Sequence, residues 1–392
     1  MKVLIIGAGA AGSIIAKLLS DKAEVEQVII GDIDQAKARK FLIPSPKITF
    51  KTLNAKDSPT VVAAARGFDL LINASLPGFN DGLMKAALEA GVNYQDLASE
   101  WEGGKIEQLK YKKDFQEKNL KALINASASP GVTNLVAKEL SLQLKRIEYI
   151  KIRLLEDVSS DVPFTAWSKA IFFDEVWHKP LVWEFDKFLP KNNFSEEEVY
   201  DFPEPFLNQK CYLLAQEDIG TMPLYIKTKY VDLKAGGSEM EFARTLFKLG
   251  LFKKRQVKIG DAMVAPYEVL LKVWPDVPAL RDLKNLVAYK QLHNAHFWAA
   301  VEEKGLREKK KIIKKAMILF PDQVAINQVY PGANYVSYAA GLSALIFAMA
   351  IPKIKEGGVF PPEALSDEIR GQLLEEFKKN NIKIEITEIE TK

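Results

Sequence analysis

The chain has 392 residues, of which 48% are hydrophobic and 27% charged, and its formal net charge is +3. That length builds two or three domains with cores of their own, and the composition is ordinary for a globular protein. Because Lys and Arg are spread along the chain, charge gives no argument for a nucleic-acid or membrane partner. A single cysteine, Cys211, excludes an internal disulfide.

The first residues, MKVLIIG, do not form a signal-peptide pattern, because their apolar run leads directly into a glycine-rich turn. The late apolar stretch at residues 339–351 is shorter than the roughly 20 residues that a membrane-spanning helix needs. It is predicted to be a buried or interface helix. We therefore expect a cytoplasmic protein with no membrane partner.

The glycine-rich turn has the pattern G-x-G-x-x-G at residues 7–12. It follows an apolar strand pattern at residues 3–6 and precedes a helix pattern at residues 13–19. This order is typical of a dinucleotide-binding fold, in which the glycines allow a tight turn, a close approach of the pyrophosphate and close helix–strand packing. The helix N-terminus offers free N–H donors to the phosphates. The residues predicted to hold the cofactor here are Gly7, Gly9, Ala10, Ala11 and Gly12.

Asp32 follows the second apolar strand pattern, twenty residues after Gly12. Its carboxylate is predicted to accept hydrogen bonds from the adenosine ribose, with Ile33 beside it in the cofactor site. Asp32 favours NAD, because a 2′-phosphate at this place would meet a carboxylate. NADP stays possible, since Lys37 and Arg39 lie nearby in the sequence.

Strand and helix patterns alternate over the first 145 residues. This alternation predicts an α/β fold, with a doubly wound parallel sheet covered by helices on both faces. From Ile147 onwards, strand patterns are joined by hairpins and long loops, which predicts an α+β domain. One of these strand patterns covers residues 225–231. The predicted domains are residues 1–145 for the dinucleotide, 146–335 for the α+β domain and 336–392 for a C-terminal helical segment.

Ligands of a doubly wound sheet bind beyond the carboxyl ends of its strands. Three such ends carry small or polar residues, at positions 73–77, 94–98 and 127–131. The first is predicted to cover the nicotinamide ribose and the pyrophosphate. Its residues are Asn73, Ala74, Ser75, Leu76 and Pro77.

Asp96 is the most attractive ionisable residue at these strand ends. A carboxylate beside a dry nicotinamide pocket is a group whose pKa rises and which can exchange a proton with a substrate nitrogen. Equally, Asp96 can cap the next segment or hold a neighbouring side chain. Both roles stay open from the sequence, and Glu100 is a weaker candidate.

The chain lacks the residues that several common dehydrogenase mechanisms require. One Cys and three His cannot supply the usual zinc ligand sets, so no metal is expected. Cys211 has no activating neighbour that would make it a nucleophile. Tyr225 and Lys229 have the Tyr-x-x-x-Lys spacing of short-chain reductases, but they lie on a strand pattern, where positions i and i+4 do not meet as they do on a helix.

Motifs from end to end of the chain resemble the saccharopine dehydrogenase family. Beside the glycine pattern, the matching stretches are DLLINA at 69–74, ALEAGVNYQD at 87–96, SPGVTN at 129–134, WS at 167–168 with DE at 174–175, and GVFPPE at 358–363. The resemblance implies an N-terminal NAD(P)-binding domain and an inserted α+β substrate domain, with C-terminal helices that return to the first domain.

The resemblance also implies oxidoreduction at a C–N bond of a lysine-related amino acid, with Asp96 as the catalytic residue. Relatives carry an Arg on a second-domain strand, but the corresponding stretch here, KTKYVD at 227–232, has none. Arg244, on the helix that follows, is expected to compensate. The implied substrate-binding residues are Tyr94, Trp167, Ser168, Lys229 and Arg244.

Alternatives to a saccharopine substrate are lysine, as in lysine 6-dehydrogenases, and a carboxylated polyamine, as in carboxyspermidine-type dehydrogenases. Outside enzymes, the alternative is a non-catalytic NAD-binding regulatory protein. The late Tyr330-Pro331-Gly332 and the small-residue helix that follows predict a homodimer.

Overall fold

The computed structural model describes residues 1–100 and 105–391. Its strands are β1 (Lys2–Ile6), β2 (Gln27–Asp32), β3 (Ile48–Thr52), β4 (Leu70–Asn73), β5 (Asn93–Asp96), β6 (Lys121–Leu123), β7 (Lys145–Ser160), β8 (Leu181–Glu184), β9 (Lys187–Pro190), β10 (Glu198–Tyr200), β11 (Gln209–Leu213), β12 (Tyr230–Gly236), β13 (Val257–Ile259), β14 (Ala262–Val264), β15 (Leu292–Arg307), β16 (Lys310–Leu319), β17 (Gly358–Phe360) and β18 (Lys383–Thr391).

The α-helices are α1 (Ala10–Ser20), α2 (Gln35–Phe41), α3 (Ser58–Ala65), α4 (Asn80–Ala90), α5 (Lys112–Glu117), α6 (Val132–Ser141), α7 (Lys169–Trp177), α8 (Asp218–Tyr225), α9 (Ser238–Lys248), α10 (Pro266–Val273), α11 (Leu280–Ala288), α12 (Gln323–Val329), α13 (Tyr335–Ala350) and α14 (Asp367–Lys379). Short 3₁₀ turns at Pro77–Phe79, Glu107–Tyr111, Ile351–Lys353 and Pro362–Ala364 complete the described elements.

The first sheet is parallel and has the order β17-β6-β5-β4-β1-β2-β3. Alternate residues of β1 face opposite layers: Val3 and Ile5 pack on the side of α1 and α13, and Leu4 and Ile6 on the side of α3 and α4. Apolar residues on both faces are the reason for the continuous apolar run in the sequence. The predicted doubly wound α/β fold is confirmed.

The second sheet is mixed and has the order β10-β11-β12-β7-β15-β16-β18, with β8 and β9 beside β12. Its centre is the antiparallel pair of long strands β7 and β15, and β15 forms a hairpin with β16. The predicted strand over residues 225–231 is wrong for most of its length, because α8 ends at Tyr225 and β12 begins at Tyr230.

The C-terminal segment contributes to both sheets. Helix α13 packs on α1, β17 lies at the edge of the first sheet, and β18 pairs with β16 in the second. The segment predicted to be helical therefore also supplies a strand to each sheet. Among the described residues, Tyr335–Lys353 is long and apolar enough to cross a membrane, but 72% of that window is buried inside the protein.

Candidate functional site

The glycine turn after β1 has the shape that a dinucleotide phosphate needs. Gly7 has φ +105° and donates its N–H to Gly31 O at 2.8 Å. A Cβ on Gly12 would lie 1.9 Å from Gly7 O, so the turn and α1 can approach this closely only without side chains. A Cβ on Gly9 would meet nothing within 4 Å, so there is open space above the first turn of α1, where a phosphate fits.

Asn73, the last residue of β4, and the four residues after it form the wall beside the glycine turn. Asn73 is buried, and its Oδ1 accepts hydrogen bonds from Ser75 N at 2.9 Å and from the Ser75 hydroxyl. Its Nδ2 donates to Leu76 O at 3.3 Å and to Asn80 Oδ1 at 2.7 Å. Asn73 therefore holds the turn Ala74-Ser75-Leu76-Pro77 beside the glycine turn, where Ala74 O would lie 2.7 Å from a Cβ on Gly7.

Asp32 lies at the end of β2 beside the glycine turn. Its carboxylate accepts from Ala8 N at 2.8 Å and from Asp34 N at 3.1 Å. Ile33 is 68% exposed next to it. An exposed apolar side chain at the cofactor end of a strand is available to cover an adenosine. Both residues lie where the cofactor prediction placed them.

Asp96 makes hydrogen bonds of the kind that the holding role requires. It is fully buried and accepts from Asn125 N at 2.7 Å and from Gln108 Nε2 at 3.2 Å. Burial raises its pKa to about 7, against the opposing effect of these hydrogen bonds. Because both oxygens are engaged, Asp96 ties the end of β5 to the loop that leads to Ser129.

Tyr94 is a core residue, against the expectation that it binds substrate. It is fully buried within the layer of α3 and α4, and its hydroxyl donates to Asn80 Oδ1 at 2.9 Å. Tyr94 and Asp96 face the same side of β5, since side chains two positions apart in a strand share a face.

Segments distant in the sequence meet at the N-terminus of α6. Asp218 Oδ1, at the start of α8, accepts from the Ser129 hydroxyl at 2.7 Å and from the Thr133 hydroxyl. Asn134 Nδ2 donates to Asp218 O at 2.9 Å and to Glu363 Oε1 at 3.2 Å. The motif SPGVTN therefore joins α8 to the C-terminal 3₁₀ turn.

We call the acidic residues at this meeting point the junction carboxylates; they are Glu175, Glu217, Asp218 and Glu363. Burial is the largest cause of raised pKa values in all of them: about 8 for Glu217, about 6 for Asp218, about 7 for Glu363, and well above the ordinary range for Glu175. Within residues 1–100 and 105–391, none of them forms an ion pair with Lys, Arg or His. Oxygens without a hydrogen-bond partner are Glu175 Oε2, Asp218 Oδ2 and Glu363 Oε2.

Two further acids, Glu156 and Glu239, continue this acidic region. Glu175 interacts electrostatically with Glu156 as well as with Glu217 and Asp218. Glu156 is 4% exposed, and burial together with Glu239 raises its pKa well above the ordinary range. These acids have no basic partner among the described residues, and a cationic ligand would stabilise their ionised forms by offsetting the repulsion and the cost of burial.

Two predicted substrate-binding residues lie elsewhere. Lys229 is exposed and precedes β12, at the end opposite Gly236 and roughly 20 Å from it at about 3.3 Å per residue. Arg244 lies over the Tyr212 ring, 4.5 Å from its centroid, and pairs with Glu197 and Glu241 at 3.7 Å each. Arg244 is thus paired with acids other than the junction carboxylates, and the substrate-binding roles of both residues stay predictions.

Trp167 lies at the wall of a cavity, as a substrate-binding residue would. It is half-buried, packs edge-on against Phe172 at a centroid distance of 5.9 Å, and lines a cavity beside Glu239. Ser168 occupies the N-cap position of α7, without a capping hydrogen bond from its side chain, and the side chains of α7 include Glu175. The predicted pair WS therefore leads into the helix that carries one junction carboxylate.

Most of the acidic residues of this site are not predicted from the sequence. Glu175 and Glu363 stand within the family-like motifs but received no role. Glu217 and Asp218 had one available signal: they follow β11 directly, in the stretch LLAQED at 213–218. Acids right after an apolar strand are candidates for a site at the end of a sheet.

Comparison with known families identifies the N-terminal part of the chain. Residues 3–128 match the family model described as saccharopine dehydrogenase NADP binding domain. Together with the glycine turn, this match shows that the chain binds a nicotinamide dinucleotide.

Curated relatives extend over most of the chain. The carboxyaminopropylagmatine dehydrogenase of Synechocystis is 28% identical over 305 residues, which cover 72% of this chain and 74% of the relative. The carboxynorspermidine synthase of Vibrio alginolyticus is 23% identical over 406 residues, covering 93% and 92%.

Solved structures share the fold. Saccharopine dehydrogenase (L-Glu forming) from Saccharomyces cerevisiae has a TM-score of 0.73 at 12% identity, covering 99% of each chain. The homospermidine synthase of Legionella pneumophila, in complex with NAD, has a TM-score of 0.70 at 12% identity, covering 100% of this chain and 91% of that one. At such identities the likeness shows the fold alone.

Proposed function

We propose that this chain, whose residues 3–128 match the saccharopine dehydrogenase NADP-binding family model, is an NAD(P)-dependent oxidoreductase that acts on the C–N bond of a carboxylated polyamine. The observation that carries the proposal is the set of junction carboxylates, three buried acids and the partly buried Glu175, which have no basic partner among the described residues. A polyamine supplies the missing positive charges. The names of the two curated relatives, which contain agmatine and norspermidine, point to the same class of compound.

Charge separates this substrate from the alternatives. Saccharopine carries several carboxylates, which the junction carboxylates would repel in a medium of low dielectric constant. A bidentate Arg is the usual partner of a substrate carboxylate. Arg153 is buried, but both Asp232 and Glu198 already occupy it. The acidic interior therefore favours the polyamine over saccharopine.

Different residues bind the cofactor, bind the substrate and transfer the proton in this proposal. The glycine turn, Asn73 and Asp32 hold a cofactor that supplies or accepts a hydride through its nicotinamide. Asp218, fixed by Ser129 and Thr133 through Oδ1, keeps Oδ2 free to accept a hydrogen bond from a substrate ammonium. Glu217, with a pKa of about 8, is the group that holds or releases a proton near neutral pH.

The test is nicotinamide absorbance with purified protein, NAD or NADP, and a substrate panel. The panel contains carboxynorspermidine, carboxyspermidine, saccharopine and lysine. We expect cofactor reduction with the carboxylated polyamines and none with saccharopine. Turnover confined to saccharopine or lysine would overturn the proposal. Silence across the panel with NAD binding intact would instead support a regulatory protein.

A further inference from the structure

A cavity of about 540 Å³ opens where β7 ends and α9 begins. Its volume lies within the range of about 300–1,000 Å³ that is usual for small-ligand sites. Aromatic side chains form much of its wall, and two acids line it: Glu239 and Asp161, the latter 2.9 Å from His293 Nε2. The aromatic residues are Phe164, Trp167, Phe172, Phe242 and Trp274.

The turn before α9 brings two acids together at this cavity. Gly237 has φ +101°, and a Cβ there would lie 2.2 Å from Glu156 O. Only glycine permits this approach, which sets the first turn of α9 on β7. Glu239 thereby lies against Glu156, and the Tyr335 hydroxyl donates to Glu239 Oε2 at 2.7 Å.

The inner acid has an unused oxygen. Glu156 is 4% exposed, and its Oε2 has no hydrogen-bond partner. Other groups near the pair add negative charge: Asp157 and Glu175 both interact electrostatically with it. Glu239 is partly buried, and ionisation of two such carboxyl groups in contact is unfavourable unless a cation lies beside them.

We propose that this cavity binds the distal amino or guanidino end of a polyamine substrate, with Glu239 as the lining carboxylate that receives it and Glu156, in contact with Glu239, as the second acid of the pair. An ammonium group offers three donors and a guanidinium five, which match a pair of carboxylates with a free oxygen. The aromatic walls suit the methylene stem and attract the cation by cation–π contact. Among the described residues, no group of three or more His, Cys, Asp or Glu side chains is arranged to hold a metal ion.

The cavity is a second binding point for the substrate, separate from the junction carboxylates. Glu175 interacts electrostatically with Glu156 on one side and with Asp218 on the other, so the acidic region continues from the junction to the cavity. An extended polycation can therefore engage both ends, whereas a monoamine can engage one. This inference rests on the proposed function and adds a basis for selecting chain length.

Calorimetry on the full chain with NAD present tests the subsite. The probes are agmatine and putrescine, with butylamine as the matched monoamine. We expect Glu239→Gln to weaken agmatine and putrescine about 10- to 100-fold, the effect of losing one buried hydrogen bond to a charged group, and to leave butylamine unchanged. The matched control is Glu241→Gln, which changes the same type of residue on the same helix outside the cavity.

A second readout is proton release. Burial raises the pKa of Glu239 to about 7, so binding of a cation near neutral pH should expel a proton from the pair, and Glu239→Gln should abolish that release. Phe242→Leu, at a half-exposed wall position that leaves both acids in place, should weaken the two dications and keep the proton release.

The outcomes separate the subsite from the proposed function. Equal affinity of wild type and Glu239→Gln for both dications would overturn the subsite, even if the protein oxidises carboxylated polyamines. Dication binding that depends on Glu239, without turnover of any carboxylated polyamine, would support the subsite and overturn the proposed function. Thermal unfolding of each variant checks that the fold is kept.

Discussion

The Ser129 hydroxyl donates a hydrogen bond of 2.7 Å to Asp218 Oδ1, although 89 positions separate the two residues. Ser129 belongs to the loop that follows β6, and Asp218 starts α8 beside the second sheet. The bond and its companion from Thr133 satisfy one carboxylate oxygen and leave Oδ2 unpartnered. A charged group held by one oxygen is positioned in advance for a ligand at the other.

Replacing Asp218 should harm substrate binding more than the fold. Asp218→Asn keeps the side-chain shape and an oxygen for Ser129 but removes the negative charge. We expect kcat/KM for a carboxylated polyamine to fall about 10- to 100-fold, mainly through KM, as one charge-assisted hydrogen bond is lost. The control is Asp114→Asn on the exposed face of α5. Unchanged KM in Asp218→Asn would remove this residue from the substrate site.

The stability of the ligand-free protein should fall as the pH rises. Burial raises the pKa of Glu217 to about 8, and those of Glu363 and Asp96 to about 7. Because the folded protein holds these protons more tightly than the unfolded chain, their stabilisation is complete below about pH 4 and is lost as the pH rises to about 8.

Thermal unfolding between pH 5 and pH 8 checks this direction, and a polyamine should raise Tm more at pH 8 than at pH 5. At the higher pH the carboxylates are charged and the cation relieves their repulsion. A Tm that climbs steadily over this range without ligand would contradict the assigned pKa shifts.

We expect a substitution at Gly9 to leave the fold intact but to weaken cofactor binding. A Cβ at this position meets nothing within 4 Å, so Gly9→Ala should fold normally. The methyl group would occupy the space above α1 where the pyrophosphate fits, and we expect NAD affinity to fall at least tenfold. Gly82→Ala in α4, also free of neighbours within 4 Å, is the control. Fluorescence titration with NADH distinguishes the two variants.

Arg153 should be essential for folding and not for substrate recognition. It is fully buried and contacts Asp232 at 2.8 and 3.1 Å and Glu198 at 2.6 Å. Arg153→Met removes the hydrogen-bonded partner of the buried Asp232, which keeps only Lys234 at 3.9 Å, whereas Glu198 keeps Lys151 and Lys234. We expect a loss of about 3–5 kcal/mol in the free energy of unfolding. Lys151→Met, which removes a partly exposed contact to Glu198, should cost about 1 kcal/mol or less. Urea unfolding measures both.

Asp96→Asn decides between the two roles that the sequence allowed. The structure favours a holding role, because both oxygens accept hydrogen bonds from Asn125 N and Gln108. We then expect a loss of about 1–2 kcal/mol in stability, partial turnover and an unchanged pH profile. Complete loss of turnover with an unchanged fold would restore the proton-transfer role.

Local patterns were sufficient for the cofactor half of the site. The strand, glycine turn, helix and acid stand within residues 3–32, and their geometry follows from neighbours in the sequence. The same holds for Asn73, which acts on the turn directly after it. The positions of Lys229 and Arg244 could not be predicted in this way, because they depend on where β12 begins and on which face of α9 packs inward.

What the sequence by itself determined was the doubly wound sheet, the dinucleotide turn and the chemical class, since each rests on residues a few positions apart. Only the tertiary structure decided that Ser129, Asp218 and Glu363 meet, and that Glu239 lies against Glu156. In this network the hydrogen bond between Asn134 and Glu363 joins residues that are 229 positions apart. Burial, which raises the pKa values of these acids and underlies the proposed cation site, is a property of the packed molecule and has no local pattern in the chain.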